Sequence, residues 1–78
     1  MGNMQTYLES NIIYLRNRDG LTRKQMAEIM GISTSTYRRI ENMEPGVRFH
    51  GKILCRLADH FDCMVDELLF RDFSRESD

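Results

Sequence analysis

The chain has 78 residues and a formal net charge of −1, with 41% hydrophobic and 29% charged residues. This length allows one domain with one small core. No apolar run approaches the ~18 residues that a membrane-spanning helix requires, so no membrane contact is expected. Two cysteines in apolar contexts, without a secretion signal, favour reduced thiols and a cytoplasmic location.

The charges are unevenly distributed along the chain. Residues 16–56 carry nine cations and four anions, a net charge of +5, whereas residues 57–78 carry seven anions and two cations, a net charge of −5. Such polarity is typical of a protein that turns a basic surface toward a polyanion such as DNA and an acidic surface toward solvent. Scattered solvent-exposed charge is the alternative interpretation.

The first predicted helix covers residues 5–17. Leu8, Ile12 and Leu15 recur at i, i+4 and i+7, so they are expected to face the core. The dipeptide Asp19-Gly20 signals the turn that follows this helix.

The second predicted helix covers about residues 23–30. Thr22 and Gln25 have the spacing of a reciprocal capping box at its start, and Gly31 supplies the left-handed residue that ends many helices. One face carries the apolar residues Met26, Ala27 and Met30.

The third predicted helix covers about residues 34–42, and Ser33 is a suitable N-cap for it. Tyr37 and Ile40, three residues apart, give this helix one inward stripe. Its other faces carry short hydroxyl and guanidinium side chains, which can approach a base edge closely.

The remaining residues predict a loop over residues 43–49, a fourth helix from His50 or Gly51 to Phe61, and a fifth helix over about residues 65–70. Residues 5–70 are thus expected to form the domain, and residues 71–78 a short polar C-terminal tail that frays from Ser74 onward.

Residues 21–42 resemble the helix-turn-helix of the phage-repressor and Cro-like family, also called the XRE family. The family pattern is matched without a gap by Leu21, Thr22, Met26, Ala27, Gly31, Ile32, Ser33, Tyr37, Ile40 and Glu41. The resemblance implies an all-α, compact five-helix repressor-like DNA-binding domain, with the helix-turn-helix at its second and third helices. Two features depart from the pattern, because Met64 stands where a Ser or Thr cap is usual and the loop after Asn42 is longer.

The resemblance assigns DNA base contacts to Thr34, Ser35 and Arg39. An arginine fork matches the O6/N7 edge of guanine, and short hydroxyls suit a thymine methyl or a single donor. Contacts to the DNA backbone are expected from Arg23, Lys24, Ser33, Thr36, Arg38 and Asn42. Arg23 and Lys24 oppose the dipole in the first turn of their helix, a penalty that a nearby phosphate would reverse. The alternatives are helix capping alone for Ser33 and plain solvated charge for the two cations.

Arg16 and Glu41 occupy places where some family members carry a structural ion pair between the first and third helices. The resemblance therefore implies a structural role for this pair, and the alternative is that both side chains are solvated.

Two functions remain open from the sequence. The first is a sequence-specific DNA-binding transcriptional regulator that inserts its third helix into the major groove of double-stranded DNA. It would act as a homodimer on two half-sites about one DNA turn apart. The fifth helix and residues 70–73 are the expected dimer surface, although the aromatic residues there could instead close the core. The alternative is an antitoxin-like or adaptor module that binds a protein partner through the acidic surface of residues 59–78.

Enzymatic activity is not expected, since the sequence contains no nucleophile–base set and no phosphate-binding loop. No cofactor and no metal are expected either, because the spacing of His50, Cys55, His60 and Cys63 matches no standard zinc pattern. Both cysteines are expected to pack against the fifth helix.

Overall fold

Helices account for all the regular secondary structure in residues 6–76, the part of the chain that the computed structural model describes. They are α1 (Leu8–Arg18), α2 (Arg23–Met30), α3 (Thr34–Glu41), α4 (Gly51–His60), α5 (Val65–Phe70) and α6 (Phe73–Glu76). The all-α prediction is confirmed, and the bounds of α2 and α5 agree with the predicted ones. No helix in this range is long and apolar enough to cross a bilayer.

Four boundaries differ from the predicted ones, one of them being the end of α1, which lies at Arg18, one residue later than predicted. α1 begins at Leu8, because Tyr7 has a non-helical backbone and is its N-cap; the predicted start at residue 5 lies outside the described residues. α3 and α4 each end one residue earlier than predicted, and the residues that follow them, Asn42 and Phe61, are the C-caps.

The starts of α2 and α3 are fixed by the predicted side-chain caps. The Thr22 hydroxyl accepts the Gln25 N–H at 3.0 Å, and the Thr22 N–H donates to Gln25 Oε1 at 2.8 Å, so the capping box is complete. The Ser33 hydroxyl accepts the Thr36 N–H at 3.1 Å. At α5, where Met64 replaces the usual hydroxyl, the Met64 N–H is instead satisfied by Glu67 Oε1 at 2.9 Å.

Four helices end in the same way, with one left-handed residue and a backbone hydrogen bond that spans five residues. The left-handed residues are Gly20, Gly31, Met43 and Asp62. The amides that follow them donate to carbonyls at 2.9–3.0 Å, in the pairs Leu21 to Arg16, Ile32 to Ala27, Glu44 to Arg39 and Cys63 to Ala58. This is the Schellman arrangement, which satisfies carbonyls that the helix itself leaves without donors. At the end of α2 this arrangement, with the left-handed Gly31, turns the chain toward α3.

The core lies where α1, α2 and α3 meet α4 and α5. Its fully buried apolar residues are Leu8, Ile12, Leu15, Met26, Ala27, Met30, Tyr37, Ile40, Leu57 and Leu68. The eight core residues of α1, α2 and α3 lie on the apolar faces predicted from the sequence. The prediction for Cys55 is wrong, because it is exposed, whereas Cys63 is partly buried against the core. Cys55 stands two positions from Leu57, and residues two apart on a helix point to different sides.

Residues 74–76 are polar and exposed, but they are not frayed as predicted, because they belong to α6. Buried Asn11 holds this segment against α1: its Nδ2 donates to the carbonyls of Leu68 at 2.8 Å and Arg71 at 2.7 Å, and its Oδ1 accepts the Phe73 N–H at 3.1 Å. Phe73 packs on the core. The described fold therefore has six helices, one more than predicted. The predicted tail positions 77 and 78 lie outside the described residues.

Candidate nucleic-acid interface

α3 turns its polar face to solvent because its apolar side chains are fixed in the core. Tyr37 and Ile40 are fully buried, and the intervening Arg38 and Arg39 are exposed. Ser35 is exposed as well, and Thr34 is half-buried at the first position of the helix. None of the three residues predicted to contact bases is therefore enclosed within the monomer.

Arg39 has a partner at the end of its own helix. Its Nε lies 3.4 Å from Oε1 of Glu44, and the two side chains are 49% and 46% exposed. Within residues 6–76 the two Nη groups of Arg39 make no hydrogen bond. The pair is open to solvent, so its contribution to stability is small.

The first turn of α2 lies beside the last turn of α3. Arg23 Nε donates to Glu41 Oε1 at 2.8 Å, although the Arg23 side chain remains 55% exposed. Arg23 is therefore not simply a solvated cation but is held against the neighbouring helix. Lys24, next to it, is exposed.

Glu41 accepts hydrogen bonds from three side chains on three helices. Besides the bond from Arg23, its Oε2 accepts Arg16 Nε at 2.7 Å and the Tyr37 hydroxyl at 2.6 Å. The Glu41 side chain is 11% exposed and that of Arg16 is 17% exposed. Arg16 also donates its Nη1 to the carbonyl of Leu21 at 2.9 Å. Arg16 thereby ties α1 to both α3 and the start of the helix-turn-helix.

Glu41, Arg16, Arg23 and Tyr37 form a cluster, and the pKa values of Glu41 and Tyr37 follow from the contacts within it. Burial alone would raise the pKa of Glu41, but the hydrogen bonds from Arg23, Tyr37 and Arg16 hold that pKa below its ordinary value. Burial, together with the bond to the Glu41 carboxylate, raises the pKa of Tyr37 well above its ordinary value. The cluster is therefore a carboxylate with three donors around it, and its negative charge is compensated.

A surface depression of about 250 Å³ is lined by Arg23, Arg38, Glu41 and Asn42. Three of these residues are predicted to contact the DNA backbone, and the fold brings them together from α2, α3 and the C-cap of α3. Two guanidinium groups and an amide beside the first turn of α2 are groups that bind phosphate oxygens.

Ser33 and Thr36, which are also predicted to contact the DNA backbone, are hydrogen-bonded to each other. The Ser33 hydroxyl, besides capping α3, donates to the Thr36 hydroxyl at 3.0 Å. Helix capping is thus an observed role of Ser33 in the monomer, and Thr36 is half-buried beside it.

Two contacts that position the helix-turn-helix were not predicted from the sequence. Arg56 of α4 donates its Nε to the carbonyl of Ile29 at 3.0 Å and packs over Gly31, where an added Cβ would lie 3.1 Å from that nitrogen. A cation at the last turn of α2 is favourable for the helix dipole. No local signal links residues 27 positions apart. The Tyr37–Glu41 bond had such a signal, because residues four apart share a helix face.

Within residues 6–76 no group of three or more His, Cys, Asp or Glu side chains is arranged to hold a metal ion. The two cysteines are free thiols. Burial, as the main cause, and the nearby Glu67 and Asp62 carboxylates raise the pKa of Cys63, so this thiol is protonated near neutral pH.

Comparison with known proteins gives a match to a protein family. A protein-family model described as helix-turn-helix matches residues 12–68, which include α2, α3 and the turn between them. The same comparisons found no matching curated protein and no matching solved structure.

Proposed function

Because the chain belongs to the helix-turn-helix family of Cro- and C1-type DNA-binding regulators, we propose that it reads a specific DNA sequence by inserting α3 into the major groove, with α2 crossing the sugar–phosphate backbone. The family is one of DNA-binding regulatory domains rather than of enzymes.

The exposed face of α3 is the observation that supports this proposal most. Burial of Tyr37 and Ile40 leaves Ser35 and Arg39 on the solvent side, and Thr34 at the first turn is only half-buried. Short hydroxyl groups allow the helix backbone to approach base edges, and the arginine fork fits guanine O6 and N7. We therefore assign base contacts to these three side chains.

Phosphate contacts are assigned to the residues around the depression between α2 and α3. Arg23 donates to Glu41 through its Nε, and its Nη groups make no hydrogen bond within residues 6–76, so they are available to a phosphate oxygen. Arg38 and Asn42 line the same depression, and Lys24 lies on the adjacent turn. Ser33 and Thr36 would add hydroxyl contacts at the start of α3. Such contacts fix the register of the protein on DNA but carry no sequence information themselves.

Homodimerisation is also part of the proposal, since two copies would read two half-sites about one DNA turn apart. α5 packs mainly on α1 and α4, so it lies away from the proposed DNA surface. Phe70 at its end is 51% exposed, and Met64 at its start is exposed too. Sedimentation of wild-type protein and of Phe70→Glu tests this surface: the variant should be monomeric where the wild type dimerises.

The alternative function, recognition of a protein partner through the acidic C-terminal surface, has less support. Arg71 forms ion pairs with both Glu67 and Glu76, so part of this acidic charge is neutralised within the monomer. An outcome in which the protein binds no duplex at low salt would nevertheless favour this alternative.

The test is selection of bound duplexes from a randomised pool, followed by affinity measurements at several salt concentrations. The proposal predicts an enriched sequence and a plot of log affinity against log salt with a slope of roughly −0.9 for each phosphate neutralised. Failure to enrich any sequence, or binding that does not weaken with salt, would contradict it.

A further inference from the structure

The end of α3 differs from the other three helix ends that have the same Schellman arrangement. After the left-handed residue, α1, α2 and α4 continue with Leu21, Ile32 and Cys63, and all three pack against the core. An apolar contact at this position usually accompanies the motif. At α3 the equivalent residue is Glu44, which is charged and exposed. A position that departs from a local rule is a candidate for a functional role.

The backbone of Glu44 is held in one place. Its N–H donates to the carbonyl of Arg39 at 3.0 Å, and Pro45 follows it, which restricts Glu44 to an extended conformation. This backbone places the Glu44 side chain within reach of Arg39, and the carboxylate lies 3.4 Å from Arg39 Nε. The proximity of the two groups thus follows from the backbone at the end of α3.

We propose that Glu44 is a positioning residue that sets the sequence specificity of Arg39. This inference rests on the proposed function, in which Arg39 reaches a base edge. Because Glu44 accepts from Nε, the two Nη groups remain available as an end-on fork for guanine O6 and N7. Holding a long side chain in place before binding also reduces the entropy that binding costs.

The negative charge of Glu44 has a second effect, on the affinity for DNA and not on discrimination. At the edge of the DNA surface it repels phosphates on every sequence alike, whereas the benefit of an oriented Arg39 is gained only at the preferred base pair. A repulsion that is equal at all sites weakens binding to each by the same factor and leaves the ratio between correct and incorrect sites unchanged, so discrimination depends on the oriented Arg39 side chain.

The experiment uses Glu44→Ala, Glu44→Gln and Arg39→Ala, and the double variant Glu44→Ala/Arg39→Ala. The probes are the duplex that the wild type enriches and the same duplex with the Arg39-dependent base pair changed. Glu44→Ala should bind the changed duplex roughly two- to fivefold more tightly at low salt. Its discrimination between the two duplexes should fall by roughly three- to tenfold.

Glu44→Gln separates the two effects, because glutamine loses the charge but keeps an oxygen that can accept from Arg39 Nε. It should show the tighter binding to the changed duplex and retain most of the discrimination. With Arg39→Ala already present, Glu44→Ala should change discrimination no further. The melting temperatures of both Glu44 variants should match the wild type, since the pair is exposed.

Three outcomes would overturn the proposal, and they differ in whether the role of Arg39 or the proposed function is also wrong. If Arg39→Ala loses discrimination but Glu44→Ala keeps it, Glu44 does not position Arg39, and the proposed function stands. If Arg39→Ala keeps its preference at every base position, Arg39 reads no base, and the role of Glu44 fails with it. If the wild type enriches no sequence, the proposed function itself is wrong.

Discussion

Replacing Glu41 by alanine should destabilise the domain strongly, because one side chain serves three helices. The substitution removes the acceptor of Arg16, Arg23 and the Tyr37 hydroxyl at once. Two of these donors are largely shielded from water, since Arg16 is 17% exposed and Tyr37 is fully buried. Arg23 is half-exposed and can return to solvent at little cost.

The loss of unfolding free energy in Glu41→Ala can be worked out from the exposures of these donors. Leaving a fully buried charge without its partner costs ~3–5 kcal/mol, and we reduce this to ~2 kcal/mol because Arg16 keeps some exposure and its bond to Leu21. The stranded Tyr37 hydroxyl adds ~1–2 kcal/mol, for a total of about 3–4 kcal/mol. A domain of this size has a free energy of unfolding of only ~4–12 kcal/mol. The melting temperature should fall by roughly 12–32 °C.

Urea unfolding followed by far-ultraviolet circular dichroism measures the effect. Tyr37→Phe removes only the hydroxyl and should cost ~1 kcal/mol. Glu44→Ala is the matched control, because it deletes an acidic partner of an arginine only three residues further along, in an exposed pair, and should stay within ~0.5 kcal/mol of wild type. If Glu41→Ala were no more destabilising than Glu44→Ala, our account of the Glu41 cluster would be wrong.

Three further predictions concern stability. Asn11→Ala removes the donor of two carbonyls and the acceptor of one amide near α6; it should cost ~2–4 kcal/mol in urea unfolding, and a loss below about 1 kcal/mol would show that α6 is not held through Asn11. Met43→Gly should gain ~0.5–1 kcal/mol in thermal unfolding, because Met43 is exposed at φ +56°, and a loss would contradict the strain argument. The pKa of Glu41 is lowered in the folded state, so the ionised Glu41 carboxylate stabilises the fold. This stabilisation is fully present above the ordinary pKa of 4.5 and is lost as pH falls through the folded-state pKa. Urea midpoints measured against pH should therefore fall more steeply in acid for wild type than for Glu41→Gln, and parallel curves would rule out this contribution.

The helix-turn-helix could be predicted from the sequence because the residues that determine it act locally. The capping box of Thr22 and Gln25, the cap at Ser33 and the left-handed Gly31 all act within four residues. Once Tyr37 is assigned to the core, helical periodicity determines which residues of α3 are exposed. The polar face proposed for DNA was therefore accessible from the sequence.

The contacts that the sequence did not reveal join residues far apart in the chain. Asn11 bonds to residues 57–62 positions away, and only its place in the inward stripe of α1, one residue before Ile12, was a signal. Arg56 reaches the carbonyl of Ile29 across 27 positions. Such hydrogen bonds depend on how helices pack, which local spacing does not specify. α6 was missed for the same reason.

The left-handed residues show a related limit. Gly20 and Gly31 mark their turns, since glycine adopts positive φ without strain. Met43 and Asp62 adopt the same conformation, and a methionine gives no sequence indication of it. The position of Glu44 beside Arg39 depends on this turn, so the pair could be identified only from the structure.

The central claim is that Arg39 of α3 contacts a base whereas Arg23 of α2 contacts a phosphate. Binding of a randomised duplex pool by Arg39→Ala and Arg23→Ala tests this claim most directly. Arg39→Ala should relax the preference at one base position and lose ~1–3 kcal/mol at the preferred site. Arg23→Ala should weaken binding to all sequences alike and make the salt slope shallower by roughly one unit. Identical behaviour of the two variants across the pool would contradict the account.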